Sequence, residues 1–468
     1  MPLFLKLLIL LWFINFVPPF VAIHLEDKWN TPLDRGRLFF DKRPIFGSHK
    51  TIRGVLAGTV AGLLAGAVLG LGAWLGLCAG ALGMSGDLFS SFIKRRFSIS
   101  SGAVIPGLDQ ATEGLFPFLV LAPHFSLSPR YVAVVALVFG LGAYLGSIFL
   151  KDTLLSKPYE DYPRPVRART RMREMRACEV TSVPLAHFLN FEDSVYYHLL
   201  VKSAIRMLGI YELGKRNALS IETRRVTFSF RGLPEAFDGY TILFISDLHL
   251  DGLDGLTEAI MDAVRDMPAD LCVVGGDLRM ETHGPFGPAL TELLRILPEV
   301  RAKDGILGVL GNHDCIEVVQ FLERNGMRYL VNDSLAVERG GERLWVVGVD
   351  DPHFFRCHDL ELAFNGVPRE EFSIFVAHSN EIYREAWPYG PKLYLCGHSH
   401  GGQIKFPLIG PIFTHSTAPR QFCEGAWSYN GMTGYTSAGA GVSGVPVRFA
   451  TKGEITMITL RRRAERER

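Results

Sequence analysis

The chain has no excess of charge of either sign. Its 49 Lys and Arg stand against 48 Asp and Glu, a formal net charge of +1 over 468 residues. Bulk electrostatics therefore gives no reason to expect a nucleic acid partner. Cysteine is scarce, with seven residues at 78, 178, 272, 315, 357, 396 and 423. An odd number without short paired spacings favours a reducing compartment over a disulfide framework. There is also no internal repeat and no low-complexity tract.

Long hydrophobic runs are present, and they crowd into the first 150 residues. Leu3 to Ile23 is apolar apart from Lys6 and Asn15, and no small-residue cleavage site follows it, so a membrane-spanning helix is expected. Val55 to Phe92 is rich in Gly and Ala at small-xxx-small spacing, which lets two helices approach closely in lipid. Leu115–Leu127 and Tyr131–Leu150 complete an all-α polytopic membrane domain of about five spans. Basic clusters lie at Lys28–Arg53, at Lys94, Arg95 and Arg96, and at Arg164–Arg176. With the amino terminus outside, all three face the cytoplasm, which places the protein in the inner membrane with its C-terminal half cytoplasmic. The last cluster also suits anionic lipid headgroups.

Beyond a connector at 151–224, short apolar runs end in metal-ligand residues. They read T-I-L-F-I-S-Asp247-L-His249, L-C-V-V-G-G-Asp277, L-G-V-L-G-Asn312-His313-Asp314, S-I-F-V-A-His378 and L-Y-L-C-G-His398-S-His400. Runs of this kind are expected as buried strands that deliver side chains at their carboxyl ends. Carboxylates, imidazoles and one amide suit hard or borderline divalent ions, with Mn²⁺, Fe, Zn²⁺ and Mg²⁺ all compatible. Gly276, Gly311, Gly397, Gly401 and Gly402 permit tight turns beside them. Arg279 is expected to bind phosphate or stay solvated, and Asp350 and Asp351 to serve a turn. The remaining histidines, His353 and His415 among them, are expected to be structural or on the surface.

The set D-L-H, G-G-D, G-N-H-D, a lone His and G-H-S-H-G-G-Q resembles the calcineurin-like metallophosphoesterases, especially their membrane-associated bacterial branch. The resemblance covers about residues 225–461. It implies an α/β four-layer sandwich, two central sheets flanked by helices, with two divalent ions. Asp247, His249, Asp277 and His400 would hold one ion, and Asp277, Asn312, His378 and His398 the other. His313 would contact the phosphate and assist the leaving group, with Asp314 orienting it.

Two blocks in residues 1–150 carry a second resemblance. Lys50-T-I-Arg53-G, and G-Asp87-L-F-S-S-F-I-Lys94-Arg95-Arg96 leading to P-G-L-Asp109-Q, are similar to the CDP-archaeol synthases. That implies CMP transfer from CTP to a lipid phosphate, with Lys50, Arg53, Asp87, Lys94, Arg95 and Asp109 at a site that takes Mg²⁺. The family's second Asp is Thr112 here, followed by Glu113, which leaves room for a shifted ligand or a silent site. The expected protein is a membrane-bound phosphoesterase acting on a phosphate ester or pyrophosphate of a lipid or nucleotide-lipid. The alternatives are a CTP-dependent cytidylyltransferase with an accessory hydrolase, or an anchored phosphoesterase whose membrane half is silent.

Overall fold

The computed structural model describes residues 1–25, 28–99, 105, 107–178, 188, 190, 194–406, 410–411 and 414–463. Pro106 of the P-G-L-Asp109-Q block and part of the 151–224 connector lie outside the described residues. The chain forms two compact units, Met1–Tyr162 with Val166–Arg171, and Pro163–Pro165 with Met172–Arg468.

The first unit is helical: α1 (Leu3–Leu25), α2 (Ile52–Val68), α3 (Ala73–Arg96), α4 (Leu108–Leu115), α5 (Phe118–His124) and α6 (Pro129–Leu154). Helices α1, α3 and α6 are long and apolar enough to cross a membrane, whereas α2 has 17 residues. The span expected over 115–127 holds only the seven-residue helix α5, separated by Pro117 from α4, which ends at Leu115. Proline has no N–H to continue the ladder, so the helix restarts there. On α6, Leu137, Leu141, Leu145 and Phe149 lie exposed at every fourth position, an apolar stripe of the kind lipid covers.

Glycine explains how α2 and α3 meet. A Cβ on Gly62 would stand 2.4 Å from the Gly76 carbonyl oxygen, and one on Gly76 would stand 2.2 Å from that of Gly62. The helices touch backbone to backbone, a contact that any side chain would prevent.

The second unit holds two six-stranded sheets. The first runs β1 (Ile221–Phe230), β14 (Gly453–Arg462), β2 (Thr241–Ile245), β3 (Leu271–Val274), β4 (Ile306–Gly308), β5 (Met327–Tyr329). The second runs β12 (Gly425–Tyr429), β13 (Met432–Thr436), β9 (Leu393–Cys396), β8 (Ser373–Val376), β7 (Glu342–Gly348), β6 (Asp333–Arg339). A small hairpin, β10 (Lys405–Phe406) with β11 (Gly410–Pro411), lies apart. Within each sheet the central strands are parallel. Alternate residues of β2, β3, β8 and β9 (Ile242 and Phe244, Leu271 and Val273, Ile374 and Val376, Leu393 and Leu395) meet in one core between the sheets. Their neighbours Phe375, Tyr394 and Cys396 pack outward with Phe364, Tyr383 and Trp427. Strands buried on both faces read as continuous apolar runs, which is the pattern seen in the sequence.

Two expectations need correction. Cys178 and Cys315 form a disulfide across a sequence separation of 137, so the pairing is made by the fold and could not show in spacing. The third basic cluster is not wholly free for lipid, because Arg164 is buried among acidic partners, and Lys94 and Arg95 of the second are buried too. Cationic side chains are interiorised here where carboxylates offset their desolvation.

Candidate active site

The parallel strands β2, β3, β4, β8 and β9 all end on the same side, and the residues that follow them converge. Asp247, His249 and His400 offer ligand atoms within 4.8 Å of one another, as do Asp277, His378 and His398, and also His249, Asp277 and His313. Asp277 joins the groups: its Oδ2 lies 3.1 Å from His378 Nε2, 3.7 Å from His313 Nε2 and 3.8 Å from His249 Nε2. Holding these side chains inward strains the backbone. Asp247, His249, Asp277, His398 and His400 all adopt positive φ, between 44° and 70°, a region that non-glycine residues seldom occupy outside functional sites.

The ring nitrogens are sorted by their outer partners. His249 Nδ1 faces the Arg279 carbonyl at 2.6 Å, and His378 Nδ1 faces that of Gly275 at 2.8 Å. His398 Nε2 faces the His415 carbonyl at 2.8 Å. A carbonyl can only accept, so these nitrogens carry the protons and the opposite ones point bare lone pairs inward. His249 Nε2 then meets His400 Nε2 at 3.1 Å, and His378 Nε2 meets His398 Nδ1 at 3.2 Å. Lone pairs so close need a cation or a proton between them. Asn312 Oδ1 is buried without a hydrogen-bond partner beside them. This donor set fits divalent ions.

Electrostatics agrees. Burial pushes the His249 imidazole down to about 3. At His378 burial acts the same way, but the Asp277 and Asp247 carboxylates override it and hold the ring up at about 10. Burial lifts the Asp277 carboxyl to about 7, against the pull of His378. The centre retains protons that arriving cations would displace.

Glycines make room at two points. A Cβ on Gly311 would stand 2.1 Å from Asp277 Oδ1, and one on Gly397 would stand 2.1 Å from Asp247 Oδ2. Asp314 accepts backbone N–H groups from Asp277 (2.7 Å), Leu278 (2.8 Å) and Gly311 (2.8 Å). Its bonds fix the loop that carries His313 and do not reach the His313 ring.

Arg279 also departs from expectation. It is buried and donates to the carbonyls of His313, Gly284, Ala177 and Thr282 and to Cys315 Sγ, so it clamps loops and is not solvated. Asp351 has the expected turn role, accepting from His353, Phe354 and Phe355 N–H. His353 and His415, expected to be structural or on the surface, line a cavity of about 110 Å³ with Asp277, Asn312 and His313. The His353 ring lies 4.2 Å from that of His398. Neither directly follows a buried strand, so the pattern that exposed the other residues of the site was silent for them.

In the first unit, Lys50, Asp87, Lys94, Arg95 and Asp109 line one cavity of about 190 Å³ together with Glu113 and Asn15. Lys50 Nζ pairs with Asp87 Oδ1 at 2.5 Å, and Lys94 Nζ with Asp109 Oδ1 at 2.8 Å. Arg53 stands outside it and donates to the Lys28 carbonyl. Asn15 donates to Glu113. An amide in an otherwise apolar span was the available signal for Asn15.

Residues 240–402 match the model of the calcineurin-like phosphoesterases, and residues 4–154 that of CDP-archaeol synthase. A Bacillus subtilis metallophosphoesterase, YkuE, is 31% identical over 52% of this chain and 86% of its own length. The chain belongs to the calcineurin-like phosphoesterase family. A Danio rerio transmembrane protein with a metallophosphoesterase domain is 29% identical over 49% of this chain and 55% of its own. A solved structure of an intramembrane enzyme for archaeal membrane lipid biosynthesis is 29% identical over 31% of this chain and 91% of that one, with a TM-score of 0.27. This phosphoesterase is therefore a hydrolase of phosphate esters with Asp/His clusters for divalent metals, fused to a CDP-archaeol synthase-like helical domain.

Proposed function

We propose that this phosphoesterase cleaves a phosphate ester or pyrophosphate of a lipid or nucleotide-lipid at a membrane surface. The observation that carries the reading is the convergence of buried Asp and His side chains on Asp277 at the ends of parallel strands. Asp247, His249, Asp277 and His400 would hold one divalent ion. Asp277, Asn312, His378 and His398 would hold the second. Such a pair supplies Lewis-acid polarisation of a phosphoryl group and lowers the pKa of water. Mn²⁺, Fe, Zn²⁺ and Mg²⁺ all suit the donors. His313, at the rim of the cavity, approaches the phosphoryl oxygen and gives a proton to the leaving group. Asp314 and Arg279 hold the loop that positions it.

The domains run 1–150, a connector at 151–224, and 225–461. The length and apolarity of α1, α3 and α6 support attachment to the bilayer. A second activity is favoured by the Lys50–Asp87 and Lys94–Asp109 pairs lining one cavity: transfer of CMP from CTP to a lipid phosphate, with Mg²⁺. The pairing of cations with carboxylates suits a triphosphate and its metal.

The test uses full-length protein in nanodiscs, stripped of metal and reloaded with Mn²⁺. Hydrolysis of bis-p-nitrophenyl phosphate that returns on reloading supports the reading. Absence of turnover with any of the four metals, for this and for lipid phosphate diesters, sinks it. Labelled CTP with a lipid phosphate tests the membrane half in the same nanodiscs.

A further inference from the structure

Beside the metal centre lies a second cavity of about 150 Å³ with a different lining. Its walls are Tyr196, Tyr197 and Val201 on one side and Ile404 and Val445 on the other. It shares Tyr197, His400, His415 and Ser443 with the cavity that holds Asp277 and His313, so the two adjoin. One end offers metal ligands and the other hydrocarbon.

The apolar wall comes from a segment outside the sheets. Ser194–Val201 is a π-helix that leads into the α-helix Lys202–Met207 and then the helix Tyr211–Ala218. The segment is anchored to this unit. Ile205 packs with Val445 and Val447, and Asn217 Nδ2 donates to the Arg448 carbonyl at 3.0 Å. The Tyr197 ring lies so close to Gly444 that a Cβ there would stand 2.7 Å from it. Its outer face is the unusual part. Val195, Leu199, Leu200, Met207, Leu208 and Leu213 are all exposed, Met207 at 88% and Leu208 at 71%. Interspersed are Lys202, Arg206, Lys215 and Arg216 against the single acid Glu212. Exposed apolar side chains mixed with cations fit the surface of an anionic bilayer, not water.

We propose that the cavity beside the metal centre receives a hydrocarbon chain of the substrate, and that residues 194–213 lie in the membrane interface where that chain enters. The substrate is then a phosphate ester carrying a long alkyl or acyl chain. Its phosphoryl group sits by Asp277 and its chain runs between Tyr197, Val201 and Val445. This rests on the phosphoesterase reading of a lipid substrate and adds the place where its hydrocarbon chain is held. Charge and apolarity select a lipid, because a peptide or sugar would leave the slot's apolar lining unmatched.

The experiment is a chain-length series of p-nitrophenyl alkyl phosphodiesters, from ethyl to hexadecyl, on Mn²⁺-loaded full-length protein in nanodiscs. The hexadecyl-to-ethyl rate ratio is the readout. Val201→Trp and Ile404→Trp fill the slot and should each lower that ratio about tenfold or more, on the scale hydrophobic pockets discriminate. Val201→Ile should keep it, as should Leu362→Ser on a distant exposed site. An unchanged ratio in both Trp variants overturns the proposal. Binding of radiolabelled hexadecyl phosphate provides an arm that needs no turnover. If no diester is cleaved, the phosphoesterase reading fails, yet loss of binding in Val201→Trp still supports the slot. Undiminished binding in that variant overturns it.

Discussion

Arg164 grips Asp350 with two parallel hydrogen bonds, Nε to Oδ2 at 2.6 Å and Nη2 to Oδ1 at 2.9 Å, with both side chains fully buried. Its third nitrogen reaches Glu174 Oε1 at 2.7 Å, and its guanidinium lies over the Phe355 ring. Cation and carboxylates exclude one another's water, so removing either partner strands a charge. The pair also ties residues 163–165 to the strand end at Val349–Asp351, next to the Asp351 bonds that shape the 353–355 loop.

Arg164→Leu should therefore cost about 3–5 kcal/mol, the usual penalty for one half of a buried pair. In a thermal melt of the purified full-length protein, the phosphoesterase transition should fall by roughly 10 °C. A melt unchanged within a degree or two would show that the pair contributes nothing.

The Cys178–Cys315 bond should hold the end of the helix Ala168–Ala177 against the loop that carries His313 and Asp314. Closing so long a loop stabilises a fold by about 2–5 kcal/mol. Non-reducing peptide mapping should find the two cysteines in one fragment, and dithiothreitol should lower the melting temperature. Separate fragments without reductant would contradict it.

Metal affinity should climb with pH. Burial raises the Asp277 carboxyl and the neighbouring carboxylates raise the His378 imidazole, so this coupled pair retains protons in the ion-free site around neutral pH. Each cation must displace these protons, so raising the pH from 6 to 8 removes a competitor and tightens binding, by up to about tenfold per unit for each proton displaced. Mn²⁺ titrations at pH 6, 7 and 8 check this. A flat affinity across that range would contradict the proton count.

Acid should weaken the second unit through Asp270. Burial raises its pKa, but Thr241, Lys303 and Arg339 outweigh that and hold it down at about 2. A depressed carboxylate stabilises the fold above its unfolded value near 4, and the contribution is lost as pH falls towards about 2. Asp270→Asn should cost about 1–2 kcal/mol at pH 7, reduced from the full linkage value because Lys303 is exposed and screened. The loss should shrink below pH 3. An equal loss at pH 7 and pH 2.5 would point to packing and not charge.

Much of this was legible because buried parallel strands advertise themselves. Each candidate ligand follows an apolar run whose end is set by backbone geometry, so the convergence of Asp247, Asp277, Asn312, His378 and His398 could be read from position alone. His353 and His415 could not, since irregular loops bring them in. Arg279 looked solvated because its five contacts are mostly to backbone carbonyls, which leave no trace in residue type. The α4–α5 break depends on Pro117, visible in the sequence yet outweighed by the apolar length around it. The Cys178–Cys315 bond and the Arg164–Asp350 pair join residues more than a hundred positions apart, and only tertiary structure creates such neighbours.

The central claim is that Asp277 joins two metal positions. Metal content by inductively coupled plasma mass spectrometry, on full-length protein reloaded with Mn²⁺, tests it most directly beside an Asp277→Asn variant. The account predicts two ions per wild-type chain, loss of at least one in the variant, and diester hydrolysis lower by roughly 100-fold or more. Two ions and near-normal turnover in Asp277→Asn would contradict it.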